Sequence, residues 1–156
     1  MNKRGYCILF VMFAVLAAAQ IPAYSAPQKE TGITGAVNLG MTRTQVIKIL
    51  GKPQSPQEYD FFYTKGNDEL IVCFNEKSRL VEAVIVRGTG QIYSLGGVKL
   101  GSPASLVKQA YGEPEKVVEY KKSNVACWYY PSKNVCFALN GDKVKSFSVS
   151  NCSVGR

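Results

Sequence analysis

Residues 35–40 read Gly-Ala-Val-Asn-Leu-Gly, and residues 96–101 repeat them as Gly-Gly-Val-Lys-Leu-Gly. The two stretches lie 61 positions apart, and the same spacing pairs Gly51 with Gly112 and Pro53 with Pro114. Over residues 35–60, nine positions are identical at this spacing. A period of this length is longer than a solenoid repeat and indicates a small duplicated domain.

Each copy begins with a predicted short helix. In the first copy Thr42 is followed three residues later by Gln45, which is the spacing of a capping box. In the second copy we expect Ser102 as the N-cap and Pro103 at the first helical position, where its missing N–H has no cost. A glycine followed two residues later by a proline ends each helix.

Strand-like segments follow each helix. They cover residues 58–64, 70–74, 80–87, 117–120, 125–130, 135–139 and 144–150. This order predicts an α+β fold of two tandem repeats, each a short helix or helix pair packed on an antiparallel β-meander, with the two sheets joined. The predicted divisions are a signal peptide (1–25), a flexible leader (26–34), repeat 1 (35–88), a linker (89–95) and repeat 2 (96–156).

Alternation along the strands assigns their side chains to a helix-covered face and an open face. The inward set is Leu70, Val72, Phe74, Val81, Ala83, Ile85, Trp128, Val135, Phe137, Leu139, Phe147 and Val149. The open face receives Phe62, Ile71, Cys73, Cys127, Tyr129 and Cys136. Aromatic and branched side chains on such a face are typical anchors of an interface, so Phe62, Ile71 and Tyr129 are the candidate binding residues. The alternative is that a helix covers them, or that they fill the junction between the halves.

The first residues have the pattern of an export signal. Lys3 and Arg4 precede an apolar run over residues 7–19, and Ala23 and Ser25 provide small residues for cleavage after Ser25. The run is shorter than the ~20 residues that span a bilayer, although an uncleaved anchor is the alternative. No lipobox surrounds Cys7. We therefore expect a secreted or periplasmic protein with no stable membrane span after processing.

Four cysteines follow the signal segment, and an even number in a small exported chain indicates two disulfides with three possible connectivities. Cys127 and Cys136 fall diagonally on neighbouring strands of one face, which predicts a Cys127–Cys136 bridge. Cys73–Cys152 then follows by elimination.

Composition argues against several classes of function. The chain has no histidine and no Cys-x-x-Cys pair, so neither a metal site nor a cysteine nucleophile with a histidine base is expected. We predict no cofactor and no enzymatic activity. The net charge of +8 falls to +6 when Lys3 and Arg4 are removed, and these charges are spread along the chain. A nucleic-acid site would need a clustered basic stripe, so no nucleic-acid partner is expected.

Residues 39–53 carry the pattern Leu-Gly-Met-Thr-x-x-Gln-Val-x-x-x-Leu-Gly-Lys-Pro, and residues 100–114 repeat it more loosely. This pattern resembles the helical signature of the small outer-membrane assembly lipoproteins (the E subunit of the Bam complex) and of the β-lactamase-inhibitor-protein fold. The resemblance implies units of short helices packed on an antiparallel sheet. In the tandem inhibitor protein, the joined sheet grips a protein partner.

Two functions remain as expectations. The first is a non-enzymatic module in the envelope or extracellular space that binds or inhibits a protein through the open face. The second is an envelope protein that binds anionic wall polymer or lipid through its basic surface. The lysines of that surface are Lys116, Lys121, Lys122, Lys133, Lys143 and Lys145.

Overall fold

The computed structural model describes residues 29–33 and 35–151, and its main element is one antiparallel β-sheet. The first half contains helix α1 (Arg43–Leu50) and strands β1 (Ser55–Pro56), β2 (Asp60–Lys65), β3 (Asp68–Phe74) and β4 (Val81–Gly88). The second half contains helix α2 (Ala104–Tyr111) and strands β5 (Lys116–Tyr120), β6 (Val125–Tyr130), β7 (Val135–Asn140) and β8 (Lys143–Ser150). Short 3₁₀ turns at Lys121–Ser123 and Pro131–Lys133 link β5 to β6 and β6 to β7.

The predicted fold of two tandem repeats, each a helix on its own meander, is wrong. The eight strands form a single sheet in the order β1-β2-β3-β4-β8-β7-β6-β5, and α1 and α2 are the two α-helices of the described residues. The physical reason lies at the centre of the sheet. Strand β4 pairs with β8 from Ala83↔Ser150 to Arg87↔Ser146. The strands of the two halves therefore belong to one hydrogen-bonded sheet and do not form two separate meanders.

Both helices pack on the same face of this sheet. Val46 of α1 and Val107 and Tyr111 of α2 belong to one buried cluster with the inward side chains of the strands. Tyr111 contacts the rings of Tyr130 and Phe137, with centroids 5.6 and 5.1 Å apart. The hydrophobic core is therefore one continuous layer between the helices and the sheet.

The two helices begin differently. At α1 the capping box is confirmed, because the Thr42 hydroxyl accepts from the backbone N–H of Gln45 and the Gln45 side chain accepts from that of Thr42. At α2 the N-cap is Pro103, so the predicted Ser102 cap is wrong. The Ser102 hydroxyl instead accepts from the backbone N–H of Lys99, 3.0 Å away, and stabilises the preceding turn.

Strand β4 departs from simple alternation near its start. Phe74 pairs with Val81 while Cys73 pairs with Ala83, so Glu82 forms a β-bulge. Beyond the bulge Val84 and Val86 point to the core, and Ala83 and Ile85 point to the open face. The predicted inward positions of Ala83 and Ile85 are therefore wrong, whereas Val81 is buried as expected.

Residues 29–33 belong to the folded body, although the sequence places them in a leader. Ile33 is only 2% exposed and lies in the core cluster. The Glu30 backbone N–H donates to the carbonyl of Lys133, and the Glu30 carboxylate accepts from the Tyr111 hydroxyl. This segment therefore connects the start of the described chain to its second half.

The signal peptide predicted at residues 1–25 lies outside the described residues. Within residues 29–33 and 35–151, no helix has the length and apolar character needed to cross a bilayer.

Candidate functional site

The sheet face opposite the helices carries the candidate site, which we call the open face. Six residues stand side by side across it, each the direct register partner of the next. This central row runs Phe62, Ile71, Ile85, Ser148, Cys136, Tyr129. The alternation of strand side chains puts all six on one side of the sheet. The row crosses strands β2, β3, β4, β8, β7 and β6 in that order.

The structure places all three sequence-predicted binding residues in the central row. Phe62 and Ile71 are direct cross-strand neighbours. Tyr129 lies across three intervening strands from Ile71, a distance of about 19 Å at the usual strand spacing. The three residues therefore share a face but do not form one pocket. Phe62 and Tyr129 are half-buried, whereas Ile71 is only 8% exposed and offers little surface to a ligand.

Ile85 is a row member that sequence reasoning missed. It is partly exposed and stands between Ile71 and Ser148, so it extends the apolar part of the row towards the centre of the sheet. The segment 83–86 reads Ala-Val-Ile-Val, which is apolar at every position. Because such a run does not alternate, its pattern gives no signal for which residues face the core.

The rows beside the central row carry polar side chains on β3, β4 and β8 and small apolar ones, Ala138 and Cys127, on β7 and β6. Glu69 stands opposite Arg87, and their side chains form an ion pair. Ser146 continues this row on β8, and Ser150 lies in the row on the other side. An apolar centre with a polar border is the usual anatomy of a protein interface.

The two thiols of Cys127 and Cys136 lie together at the β6–β7 part of the open face. Cys127 pairs with Ala138 and Cys136 with Tyr129, so the two cysteines are diagonal neighbours. The predicted Cys127–Cys136 disulfide is absent, and both residues carry free thiols. Diagonal neighbours in a sheet are typically about 7–8 Å apart, which is longer than the Cα separation of up to about 6.8 Å that is usual for a disulfide.

The second predicted disulfide involves one described residue, Cys73. Cys73 stands on the open face between Asp60 and Ala83. Its predicted partner, Cys152, lies outside the described residues, so the Cys73–Cys152 pair stays a prediction.

The chemistry of the thiol cluster disfavours nucleophilic catalysis at neutral pH. Burial, assisted by the neighbouring Cys127 thiol, raises the pKa of Cys136 to about 12. Burial also raises the pKa of Tyr129 to about 12, with smaller contributions from the two cysteines. The Cys127 side chain lies close enough to both groups to add to these increases in pKa. Because the thiolate is the reactive form of cysteine, the raised pKa of Cys136 suits this thiol to packing and not to nucleophilic attack.

No metal centre is evident in the part of the chain that the structure describes, where no three His, Cys, Asp or Glu side chains are grouped to hold an ion.

The lysines of the predicted basic surface do not form a single patch. Lys133 is held by the fold, because its ammonium donates to the carbonyl of Tyr111 at 2.8 Å. Lys121 and Lys122 lie in the turn after β5. Lys143 is at the same end of the sheet, because the register runs from Tyr120 through Val125 and Asn140 to Lys143.

Comparisons with known proteins define the fold more than the function. No family model and no curated protein matches the chain. A cysteine-rich secretory protein from Staphylococcus aureus is similar in structure, with a TM-score of 0.52 and 11% identity over 81% of this chain and 48% of that one. An extracellular protein from Bacillus anthracis that contains an SCP domain has a TM-score of 0.51 and 9% identity, with the same coverages. A DUF4309 family protein from Bacillus subtilis has a TM-score of 0.48 and 13% identity over 70% of this chain and 77% of that one.

These likenesses concern the fold alone, because the identities are so low. The chain spans about half the length of the S. aureus and B. anthracis proteins. None of the three is described as an outer-membrane assembly lipoprotein or a β-lactamase inhibitor. The family resemblance drawn from the sequence therefore stays a prediction.

Proposed function

We propose that this chain is an exported, non-enzymatic binding protein that contacts a protein partner through the open face of its sheet. One observation carries the proposal. Both helices and the whole core cluster lie on one side of the sheet. The other side carries the central row, in which every member except Ser148 on β8 is apolar or aromatic. An uncovered apolar row with a polar border fits a protein better than a small polar ligand.

The anchors of this interface are Phe62 and Tyr129. Both are aromatic and half-buried, so neighbouring residues restrict each side chain while part of each ring stays accessible. Aromatic residues of this kind contribute much of the binding energy of protein interfaces. The distance between them spreads the contact over both halves of the sheet, so we expect a broad, flat interface.

Export is supported by two independent features. The sequence begins with a basic and then apolar segment that is typical of a signal peptide. Two structural neighbours are described as a secretory protein and an extracellular protein. We therefore place the binding event outside the cytoplasm.

Site-specific photocrosslinking tests the binding face. A benzoylphenylalanine replaces Phe62 or Tyr129 in the full chain, which is expressed and exported by its own organism. The matched control carries the same group at Ile49, which is 50% exposed on helix α1. We expect one protein to crosslink from both open-face positions, at low and at high salt, and not from position 49. Equal crosslinking from all three positions, or none from the open face, would overturn the proposal.

A second candidate function rests on the lysines at one end of the sheet. Lys121, Lys122 and Lys143 lie together there and are exposed, which favours binding of an anionic wall polymer or lipid headgroup. Such binding should disappear as salt screens the charges. Recovery of polymer or lipid at low salt alone, without a crosslinked protein, would favour this function over the first.

A further inference from the structure

The two edges of the sheet differ in how well they are protected. Strand β1 is only two residues long and contains Pro56, which cannot donate to another strand. Strand β5 is a regular strand of five residues without proline, and among the described strands it pairs with β6 alone. Its outer edge therefore presents unpaired backbone N–H and C=O groups, which can accept a further strand.

Strand β5 also exposes apolar side chains. Val117 is 46% exposed and Tyr120 is 51% exposed, and both belong to this one strand. Exposed apolar residues on an open strand edge are a recognised site for pairing between chains. Because strand side chains alternate, Val117 and Tyr120 point to opposite faces of the sheet. Each face of the edge therefore carries one exposed apolar side chain beside the backbone groups.

The charges around β5 are arranged with opposite signs at its two ends. Glu113 and Glu115 precede the strand, and Lys121 and Lys122 follow it. An antiparallel partner with the same sequence would place its basic end beside this acidic end. A parallel copy would instead place like charges together. The strand is therefore complementary in charge to itself in the antiparallel direction.

We propose that β5 pairs with β5 of a second copy of this chain, antiparallel, across a two-fold axis at Val118. In this register Val118 faces itself and Lys116 faces Tyr120 of the second copy, a favourable pair of a cation with an aromatic ring. Lys121 lies beside Glu115 of the second copy, and two-fold symmetry makes every such contact twice. A two-fold axis perpendicular to the sheet keeps both open faces on the same side.

The contact is small, so the dimer is weak and depends on concentration. One pair of five-residue strands is well below the size of a stable interface, and a Kd of about 10–1000 μM is expected. This inference does not rest on the proposed function, because backbone pairing along the outer edge of β5 requires no ligand on the open face.

Sedimentation equilibrium of the mature chain in reducing buffer tests the pairing. We expect the weight-average mass to rise from monomer towards dimer as the concentration approaches about 1 mM. The variant Lys121→Glu with Lys122→Glu makes both ends of β5 acidic and should weaken dimerisation about tenfold or more. The matched control, Lys77→Glu with Lys99→Glu, makes the same charge change at exposed positions away from β5 and should dimerise like the wild type.

A mixing experiment tests whether charge complementarity at the ends of β5 drives the pairing. The variant Glu113→Lys with Glu115→Lys makes both ends basic, and it should form mixed dimers with the acidic variant although neither dimerises well alone. Because Glu115 also bonds to Ser132, circular dichroism must first show that this variant folds. If it does not, hydrogen exchange of wild-type residues 116–120 replaces it and should slow with concentration. A wild type that stays monomeric, or a control that loses dimerisation equally, would overturn the inference.

Discussion

The hydroxyl of Tyr130 donates a hydrogen bond to the backbone carbonyl of Gly112, 3.1 Å away. Gly112 is the C-cap of α2, and Tyr130 ends strand β6. In the first half the hydroxyl of Tyr63 donates in the same way to Gly51, the C-cap of α1, at 3.2 Å. Each helix is thus fastened at its end to an inward-facing tyrosine of the sheet.

Removing either hydroxyl should lower stability modestly. Tyr130→Phe and Tyr63→Phe each delete one hydrogen bond while keeping the ring in the core, and each should cost about 1 kcal/mol of unfolding free energy. Urea unfolding followed by far-ultraviolet circular dichroism measures this. Because the sites are far apart, the double variant should show the sum of the two losses. A double variant that loses no more than one single variant would contradict independent fastening.

Stability should fall on the alkaline side. Burial raises the pKa of Cys136 from 9.0 to about 12, and those of Tyr129 and Tyr130 from 10.0 to about 12. Between these values the unfolded chain loses protons that the folded chain retains, so the free energy of unfolding decreases as the pH rises. The contribution of Cys136 to the free energy of unfolding is complete below about pH 9 and is lost as the pH rises towards 12.

Urea midpoints measured from pH 7 to pH 11 in reducing buffer check this prediction. The variant Cys136→Ala should reduce the decrease in urea midpoint that begins near pH 9. The variant Tyr130→Phe should reduce the decrease that begins near pH 10. A wild-type midpoint that does not change over this range would contradict the prediction.

Sequence patterns predicted much of the local structure because alternation is a strong signal where one face is buried. In β8 serines alternate with Phe147 and Val149 clearly enough to place both apolar side chains inward, as the structure confirms. The apolar run in β4 carried no such signal, and the bulge at Glu82 reversed the expected positions of Ala83 and Ile85. One extra residue moves every later side chain to the other face.

The pairing of β4 with β8 within a single sheet was harder to predict because it depends on contacts far apart in sequence. The β4–β8 ladder pairs residues 83–87 with residues 146–150, and no local pattern specifies that pairing. The candidate site was predicted in part, since Phe62 and Tyr129 were placed on the correct face. Their separation depends on the order of strands across the sheet, which local alternation does not specify.

The corrected register of β4 makes a sharp prediction about two adjacent residues. Val84→Thr keeps the shape of a fully buried side chain but places a hydroxyl in the core, which should cost about 1–3 kcal/mol. Ile85→Thr introduces the same side chain on the partly exposed open face and should cost clearly less. Urea unfolding of the two variants decides between registers, because the predicted inward position of Ile85 requires the opposite order.

The buried carboxylate of Asp68 should stabilise the connection between the two halves. Asp68 is 1% exposed at the start of β3, and its Oδ2 atom accepts from the backbone N–H of Ile92 at 2.8 Å. A Cβ atom at Gly90 would lie 2.5 Å from Asp68 Oδ1, so the connecting segment passes directly over the carboxylate. This packing leaves little room for water to replace the bond.

Asp68→Ala removes the acceptor and should cost about 1–3 kcal/mol. Asp68→Asn keeps a carbonyl oxygen for the Ile92 N–H and should cost less, although it removes the negative charge. Urea unfolding gives the two free energies, and hydrogen exchange at Ile92 reports the local bond. Faster exchange at Ile92 in the alanine variant, with near-normal exchange in the asparagine variant, is the expected result. Equal losses in both variants would instead show that the charge, and not the hydrogen bond to Ile92, is what Asp68 contributes.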